Sequence, residues 1–380
     1  MKTILVTGGA GFIGRHLVPG LLKEGYHVRI LDTLSAQVHG QIPADVAWLQ
    51  NSPGLEFQRG SVCSTTDLRR ACDGADAAIH LAAETGTGQS MYEIGRYVDQ
   101  NVLGTANLMQ QMVDGSGSGV KRVILASSRA VYGEGAFIRA GDPHQRRLTP
   151  PTRGIEQLRN RQWELCCPET GEELTAVPTR EDDRTDPASI YAATKLAQED
   201  LVRIGCASKG VGFAILRLQN VYGEGQSLAN PYTGLLTVFS NRIRRNLPLP
   251  VFEDGLESRD FVHVADVVSA ITAACTREDA PNAVINVGSG AATPVKDMAH
   301  ALSRAFGVEP RVEITGQFRV GDIRHNFADI SRLRQLLGVT PHVSLEAGIE
   351  RLVQWVKAQP LHEDRSAAAN EELQRRKMMG

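Results

Sequence analysis

Gly8, Gly11 and Gly14 stand three residues apart, directly after the apolar run Ile4 to Thr7 and at the head of a helical pattern, Phe12, Ile13, Leu17, Leu21 and Leu22, that ends at Gly25. His27 to Leu31 then restores a strand pattern, closed by Asp32 18 residues beyond Gly14. Strand, glycine turn, helix and second strand in so short a span leave little choice of fold, because parallel neighbours need a crossover helix packed on one sheet face. The same unit carries a chemistry. Glycines let backbone N–H groups approach a pyrophosphate, the helix N-terminus adds positive dipole, and a carboxylate ending the next strand accepts hydrogen bonds from a ribose diol. That carboxylate also repels a 2′-phosphate, so the expected cofactor is NAD rather than NADP.

Further apolar runs at Leu55 to Phe57, Ala77 to Leu81, Val123 to Leu125 and Phe213 to Leu218 alternate with helix-like stretches at 65–73, 91–113 and 191–208. The alternation predicts an α/β chain with a Rossmann-type doubly wound parallel sheet and helices on both faces. Between Gly133 and Asp186 the periodicity fails and Pro, Arg, Thr and Glu accumulate, so residues 134–186 are expected to be an insertion near the active site. From Glu224 the pattern turns mixed, with strands expected at 249–252 and 284–287 and helices near 264–276, 294–306 and 344–357. The expected organisation is a dinucleotide-binding domain over 1–223, a smaller mixed α/β lobe over 224–360, and a charged, frayed tail over 361–380.

Length agrees, since about 150 residues per domain is usual and the chain has 380. Lys plus Arg (41) nearly balance Asp plus Glu (43), which removes the basic excess that grips a phosphate backbone, so no nucleic-acid partner is expected. Six irregularly spaced cysteines do not make a disulfide framework. No apolar run reaches the roughly 18 residues of a membrane span, and the chain opens on a strand without a charged leader. A cytoplasmic protein with no membrane partner is expected.

Tyr191 and Lys195, four residues apart, share one face of the helix expected there. A tyrosine, with an ordinary pKa near ~10, serves as general base only beside a cation, which Lys195 and an oxidised nicotinamide would supply. Taken alone, the spacing also fits a surface tyrosine and a solvated lysine.

Gly8-Gly-Ala-Gly11-Phe12-Ile13-Gly14, His80-Leu81-Ala82-Ala83, Asn101-Val-Leu-Gly-Thr105, Ser127-Ser128-Arg129-Ala-Val-Tyr132-Gly133 and Tyr191-x-x-x-Lys195 follow one another in the order seen in extended short-chain dehydrogenase/reductases. Over residues 1 to about 355 the chain resembles their nucleotide-sugar epimerase/dehydratase branch. The resemblance implies tightly held NAD, contacted by Gly8, Gly11, Phe12, Ile13 and Gly14, by Asp32, by Leu81, Ala82, Ala83 and Asn101, and by Tyr191 and Lys195. Ser61 and Val62 stand where the branch commonly carries Gly-Asp-[ILV] against the adenine, which leaves Ser61 to donate or accept there. Ser128 is placed on the reacting oxygen, while Ser127, its neighbour on a strand, faces away. Leu216 to Gly223 resembles the segment whose asparagine, here Asn220, contacts the substrate's phosphates. Ser258 to Asp266 resembles the segment whose arginine, here Arg259, pairs with the pyrophosphate. Arg319-Val-Gly-Asp322 resembles a late motif that faces the nucleotide, and Phe252 falls where the branch brings an apolar residue to the base. A homodimer through the helices at 91–113 and 191–208 is implied as well.

Two departures narrow the chemistry. The branch's 4,6-dehydratases follow the catalytic hydroxyl residue with an Asp-Glu pair, the acid and base that remove water. Here Arg129 and Ala130 take those positions, so elimination lacks its proton route. Reversible oxidation without elimination remains: epimerisation at C4, decarboxylation of a uronic acid with Arg129 as the basic group, or ketoreduction. The second departure is the 134–186 insertion, expected to border the substrate and set specificity. Within it Cys166-Cys167-Pro168-Glu-Thr170-Gly171 resembles half of a zinc ribbon with one ligand lost, and no metal is expected. Glu84, Thr85 and Gln89, behind the strand that supports the nicotinamide, are expected to reach the sugar, with Ser128 and Arg129. The run from Ala82 to Tyr92, the insertion, and Leu216 to Gln226 together resemble bacterial dTDP-L-rhamnose 4-epimerases, which implies interconversion of dTDP-L-rhamnose and dTDP-6-deoxy-L-talose. A UDP-glucose or UDP-glucuronate 4-epimerase or decarboxylase, an NDP-4-ketosugar reductase and a non-enzymatic dinucleotide-binding relative are the alternatives.

Overall fold

A computed structural model describes residues 2–39, 48–117, 119–228, 230, 232, 234–364 and 366–380. Seven parallel strands form its central sheet: β1 (Thr3–Thr7), β2 (His27–Asp32), β3 (Leu55–Arg59), β4 (Ala77–His80), β5 (Arg122–Ser128), β6 (Gly212–Leu218) and β7 (Ala283–Val287), ordered β3-β2-β1-β4-β5-β6-β7. Leu5, Val6, Ile79, Val123, Ile124 and Leu125 have no accessible surface, as unbroken apolar strands do when both sheet faces are covered. The longer helices are α1 (Phe12–Lys23), α2 (Thr65–Cys72), α3 (Gly104–Asp114), α4 (Ile190–Lys209), α5 (Leu235–Arg244), α6 (Val264–Thr276), α7 (Val295–Phe306), α8 (Ser331–Leu337), α9 (Leu345–Ala358) and α10 (Ser366–Arg375), of which α1, α2, α3, α4, α6 and α8 cover the sheet. Leu17 and Leu21 of α1, Val267 and Ile271 of α6 and Leu333 of α8 pack with Ile4, Val6 and Ile30 on one face. On the other, Leu68 of α2, Leu108 and Met112 of α3 and Val202 of α4 pack with Leu5, Leu31 and Val123.

The strand at 283–287, expected in the second lobe, is instead the edge of this sheet, and α6 and α8 lie on its face. Its physical reason is the edge of β6, whose backbone groups β7 pairs while burying Ile285 and Val287. A boundary at residue 223 is therefore corrected: after β6 the chain enters the second lobe, returns for α6 and β7, leaves for α7, returns for α8 and leaves again for α9. The lobe's own core joins Leu236 and Phe239 of α5, Met298 and Leu302 of α7, and Leu352 and Val356 of α9 to Leu249 and Val251.

The helix expected over 91–113 runs over 94–114 without a break but is not α-helical throughout. A short helix at Ile94–Tyr97 passes through a π-helical turn, Val98–Leu103, before α3 begins. The extra residue of a π turn re-aims a side chain, and here Asn101 is wholly buried.

Two further expectations are corrected. The tail is not frayed: α10 buries Ala369 and Leu373, and residues 378–380 pair with 318–320 through Phe318 N to Gly380 O at 2.8 Å and Val320 N to Met378 O at 2.9 Å. The insertion is a folded unit, with Phe137–Arg139 antiparallel to Leu174–Ala176 and a small core of Phe137, Leu165, Cys167 and Leu174. A buried ion cluster ties it to the second lobe. Arg153 donates to Glu253 Oε2 at 2.9 Å and pairs with Glu134, while Arg324 bonds Glu164, Glu253 and Asp254.

Candidate active site

The carboxyl ends of β1, β2, β4, β5 and β6 open into one cleft of about 1220 Å³. Single-ligand pockets run to roughly 300–1,000 Å³, so the space suits a dinucleotide with a second ligand beside it. The glycine turn is built for close approach. Gly8 has φ +70°, and a Cβ there would stand 2.6 Å from Ala82 N, while one at Gly14 would collide with Gly9 O. Gly11, Phe12 and Ile13 face the cleft. Asp32 ends β2 with its carboxylate fixed by Ala10 N (3.1 Å) and Leu34 N (2.9 Å), its position on the cleft wall leaving it open to a ribose diol. Leu81, Ala82, Ala83 and Val62 complete the wall, and these residues fit NAD.

Ser128 ends β5 and Tyr191 opens α4, whose N-cap Ser189 accepts from Ala192 N at 3.2 Å. Ser90 holds the backbone N of Tyr191 at 3.0 Å, and Tyr97 packs edge-on against its ring. Ser128 and Tyr191 stand together on the cleft wall. Burial raises the Tyr191 phenol's pKa, while the Ser128 hydroxyl and the Arg129 guanidinium pull it down. Lys195, 4% exposed, donates to Gln198 Oε1 at 2.8 Å, and burial pushes its ammonium down to about 7 against the opposing pull of Glu199. Gln198 in turn donates to Thr105 at 2.6 Å, and Thr105 lies 2.9 Å from a fully buried His80 whose pKa burial lowers to about 3.

Arg129 lines the cleft beside Ser128 and Tyr191, and among the described residues no acceptor lies within hydrogen-bonding distance of its guanidinium. Burial and the nearby Arg259 push it down to about 9, with Asp322, Tyr191 and Glu134 opposing. Glu84, Thr85 and Asn220 also line the cleft. Arg319 and Asp322 instead line a neighbouring cavity of about 160 Å³, where Arg319 stacks on Phe252 with its guanidinium carbon 4.6 Å from the ring centre.

Several residues expected at the ligands are engaged by the protein itself. Asn101 does not reach the cleft: its Oδ1 accepts from Glu84 N at 2.7 Å and its Nδ2 donates to Glu84 O and Thr194, so it shapes the wall from behind. Gln89 is spent on Gln37, Glu93 and Tyr97 inside the protein. Ser61 does not line the cleft; its hydroxyl accepts from Cys63 N at 3.1 Å. Arg259 is buried and donates to the carbonyls of Ser258, Ile323 and Arg324, which occupies three of its five N–H groups. No residue of the 134–186 insertion lines either cavity, though Arg153 donates to Asp322 O at 3.2 Å. Cys166 is exposed and Cys167 buried, and among the described residues no three His, Cys, Asp or Glu side chains are grouped to hold a metal.

Sequence reasoning missed one supporting network. Ser127 donates to Glu199 at 2.5 Å, and Glu199 is gripped by Arg217, whose guanidinium lies over the Tyr132 ring. The signal was there: Glu199 follows Lys195 by four residues and Tyr191 by eight, on the same helix face.

Comparison with known proteins agrees with this geometry. The model of the NAD dependent epimerase/dehydratase family matches residues 4–154 and 166–288. The chain is 40% identical over 357 residues to the dTDP-L-rhamnose 4-epimerase of Burkholderia thailandensis, covering 93% of this chain and 95% of that one. Among solved structures it is similar to UDP-glucuronic acid 4-epimerase from Bacillus cereus in complex with UDP-glucuronic acid and NAD, with TM-score 0.77 and 26% identity over 94% of this chain and 99% of that one. MoeE5 in complex with UDP-glucuronic acid and NAD superposes with TM-score 0.74 at 28% identity over the same shares. With its glycine cradle, its Ser-Tyr-Lys set and no carboxylate pair behind Ser128, the chain belongs to the NAD dependent epimerase/dehydratase family, on its epimerase side, and NAD is its cofactor.

Proposed function

We propose that the chain is a nucleotide-sugar 4-epimerase that interconverts dTDP-L-rhamnose and dTDP-6-deoxy-L-talose. The observation that carries the reaction type is the Tyr191–Ser128 pair on the wall of the dinucleotide cleft with Arg129 and Ala130, rather than an acid–base pair, beside it. The 40% identical relative supports the sugar. Bound NAD would supply reversible hydride transfer at C4. Tyr191 Oη, as phenolate, takes the C4 hydroxyl proton, and Ser128 Oγ hydrogen-bonds the same oxygen as its charge changes. Arg129 favours the phenolate through its positive charge, and the buried Lys195 stands one helical turn behind it. The oxidised sugar turns about its diphosphate link, Tyr191 returns the proton, and no net oxidant is consumed. Asn220, Arg319 and Asp322 hold the nucleotide while the sugar turns.

A second reading rests on Arg129, whose guanidinium meets no protein acceptor in the cleft. A fork of this kind suits a carboxylate, which a uronic acid would present at C6. One experiment separates the two: proton NMR of the holoenzyme with dTDP-L-rhamnose and, separately, UDP-glucuronate, without added reductant. New anomeric signals at a steady ratio from dTDP-L-rhamnose establish the first reading. Conversion of UDP-glucuronate alone establishes the second, and turnover of a 4-keto sugar only with added NADH overturns both.

A further inference from the structure

The segment 366–380 lies over the substrate side of the molecule, where nothing in its composition announced a role. Its inner residue Leu373 sits over Gly88, beyond β4, and Arg376 stacks on Tyr92 with its guanidinium carbon 4.5 Å from the ring centre. Its far end pairs with 318–320 of the second lobe, so α10 spans from the loop behind β4 to the Arg319–Asp322 motif. Between them is the cavity of about 160 Å³, walled by Thr87, Met91, Tyr232, Arg319, Asp322 and Asn370.

Three polar observations make this cavity more than a packing gap. Asn370 Oδ1 accepts from Arg319 Nη2 at 2.7 Å. Arg319 Nε is buried and bonds nothing. Among the described residues no acceptor faces Asn370 Nδ2. A buried guanidinium N–H without a partner is costly unless a ligand oxygen completes it, and a guanidinium fixed on one side by an amide and below by an aromatic ring presents its remaining edge in one direction.

We propose that α10 forms one wall of the site for the substrate's nucleoside diphosphate, with Asn370 as the positioning residue that aims Arg319 at the diphosphate and offers its own amide N–H to the nucleotide. The inference rests on the reading of Arg319 and Asp322 as nucleotide-facing residues. It makes the tail a determinant of nucleotide affinity, separate from the chemistry at Tyr191.

The test uses holoenzyme and titrates dTDP, which carries the diphosphate without the sugar, alongside steady-state kinetics with dTDP-L-rhamnose. Asn370→Ala is expected to weaken dTDP about tenfold and to raise KM by a similar factor while kcat changes less than twofold. Leu373→Ala, which loosens α10 from Gly88 without touching the amide, is expected to raise KM in the same manner. In an Arg319→Ala background the Asn370→Ala penalty should vanish, because the two act as a unit. Unchanged dTDP affinity in Asn370→Ala, a full penalty that persists without Arg319, or a fall in kcat and melting temperature with KM unmoved overturns the proposal. Failure of the substrate reading is seen separately, as a wild-type protein that binds dTDP yet leaves dTDP-L-rhamnose unchanged.

Discussion

Burial, a hydroxyl and a guanidinium together set how Tyr191 titrates. Ser128 and Arg129 lower its pKa; burial raises it; Tyr97 packs on its ring, and Arg259, Asp322 and Glu134 surround Arg129 in turn. A base works deprotonated, so activity rises with pH through the phenol's pKa, and removing a neighbouring cation moves that limb upward. Arg129→Met is therefore expected to shift the acidic limb of kcat/KM to higher pH by about one unit, equivalent to ~1.4 kcal/mol, while Arg129→Lys keeps it near its original place. A limb that does not move in Arg129→Met shows that the guanidinium serves substrate binding alone. Tyr191→Phe should cost about 10²–10⁴ in kcat while the purified protein retains NAD, read by its absorbance after denaturation. Residues of this kind were legible in the sequence because their chemistry is carried by residue type and local spacing. Asn101, Gln89 and Arg259 were legible as positions, but their protein partners were not, since those lie 17 residues away in one case and 65 in another.

At the scale of elements, the insertion is the case where composition misled. Its Arg and Glu residues look like a solvated, substrate-covering loop, yet Arg153 is buried between Glu134 and Glu253, and Arg324 draws Glu164 into the same cluster. Removing Arg153 takes the paired cation from the buried Glu134 and leaves Glu253 with Arg324 alone. Arg153→Met should accordingly destabilise the protein by about 3–5 kcal/mol, measured by urea denaturation; a loss under about 1 kcal/mol would mean the cluster is hydrated and weak. The glycine turn, by contrast, could be read directly, because strand, turn, helix and carboxylate lie within one short stretch and each dictates the next. The π turn at Val98–Leu103 could not, since a helical pattern looks the same with or without one extra residue.

At the scale of the molecule, the parallel sheet followed from alternation, but the lobe boundary did not, because the return of the chain for β7 leaves no mark in composition. Exposed apolar residues point to a further level of assembly. Ile94, Leu103 and Val113 along the 94–114 stretch and Ile204 on the adjacent α4 are between 45% and 58% exposed. Two copies of this pair of helices would bury them in a four-helix bundle, and a homodimer is proposed on that basis. Ile204→Arg should convert it to a monomer, seen as a halved mass in light scattering behind size exclusion; an unchanged mass would place any dimer contact elsewhere. No helix among the described residues is long and apolar enough to cross a membrane, so these residues are not a span.

The repeated passage of the chain between the sheet layer and the second lobe has a mechanical consequence. Two domains joined by a single linker open like jaws, but halves sewn together along a seam hold their separation. A sugar that is oxidised, turned over and restored needs a chamber that lets it tumble and never lets it leave. Stitching holds the width of that chamber, so the two halves do not part as jaws do.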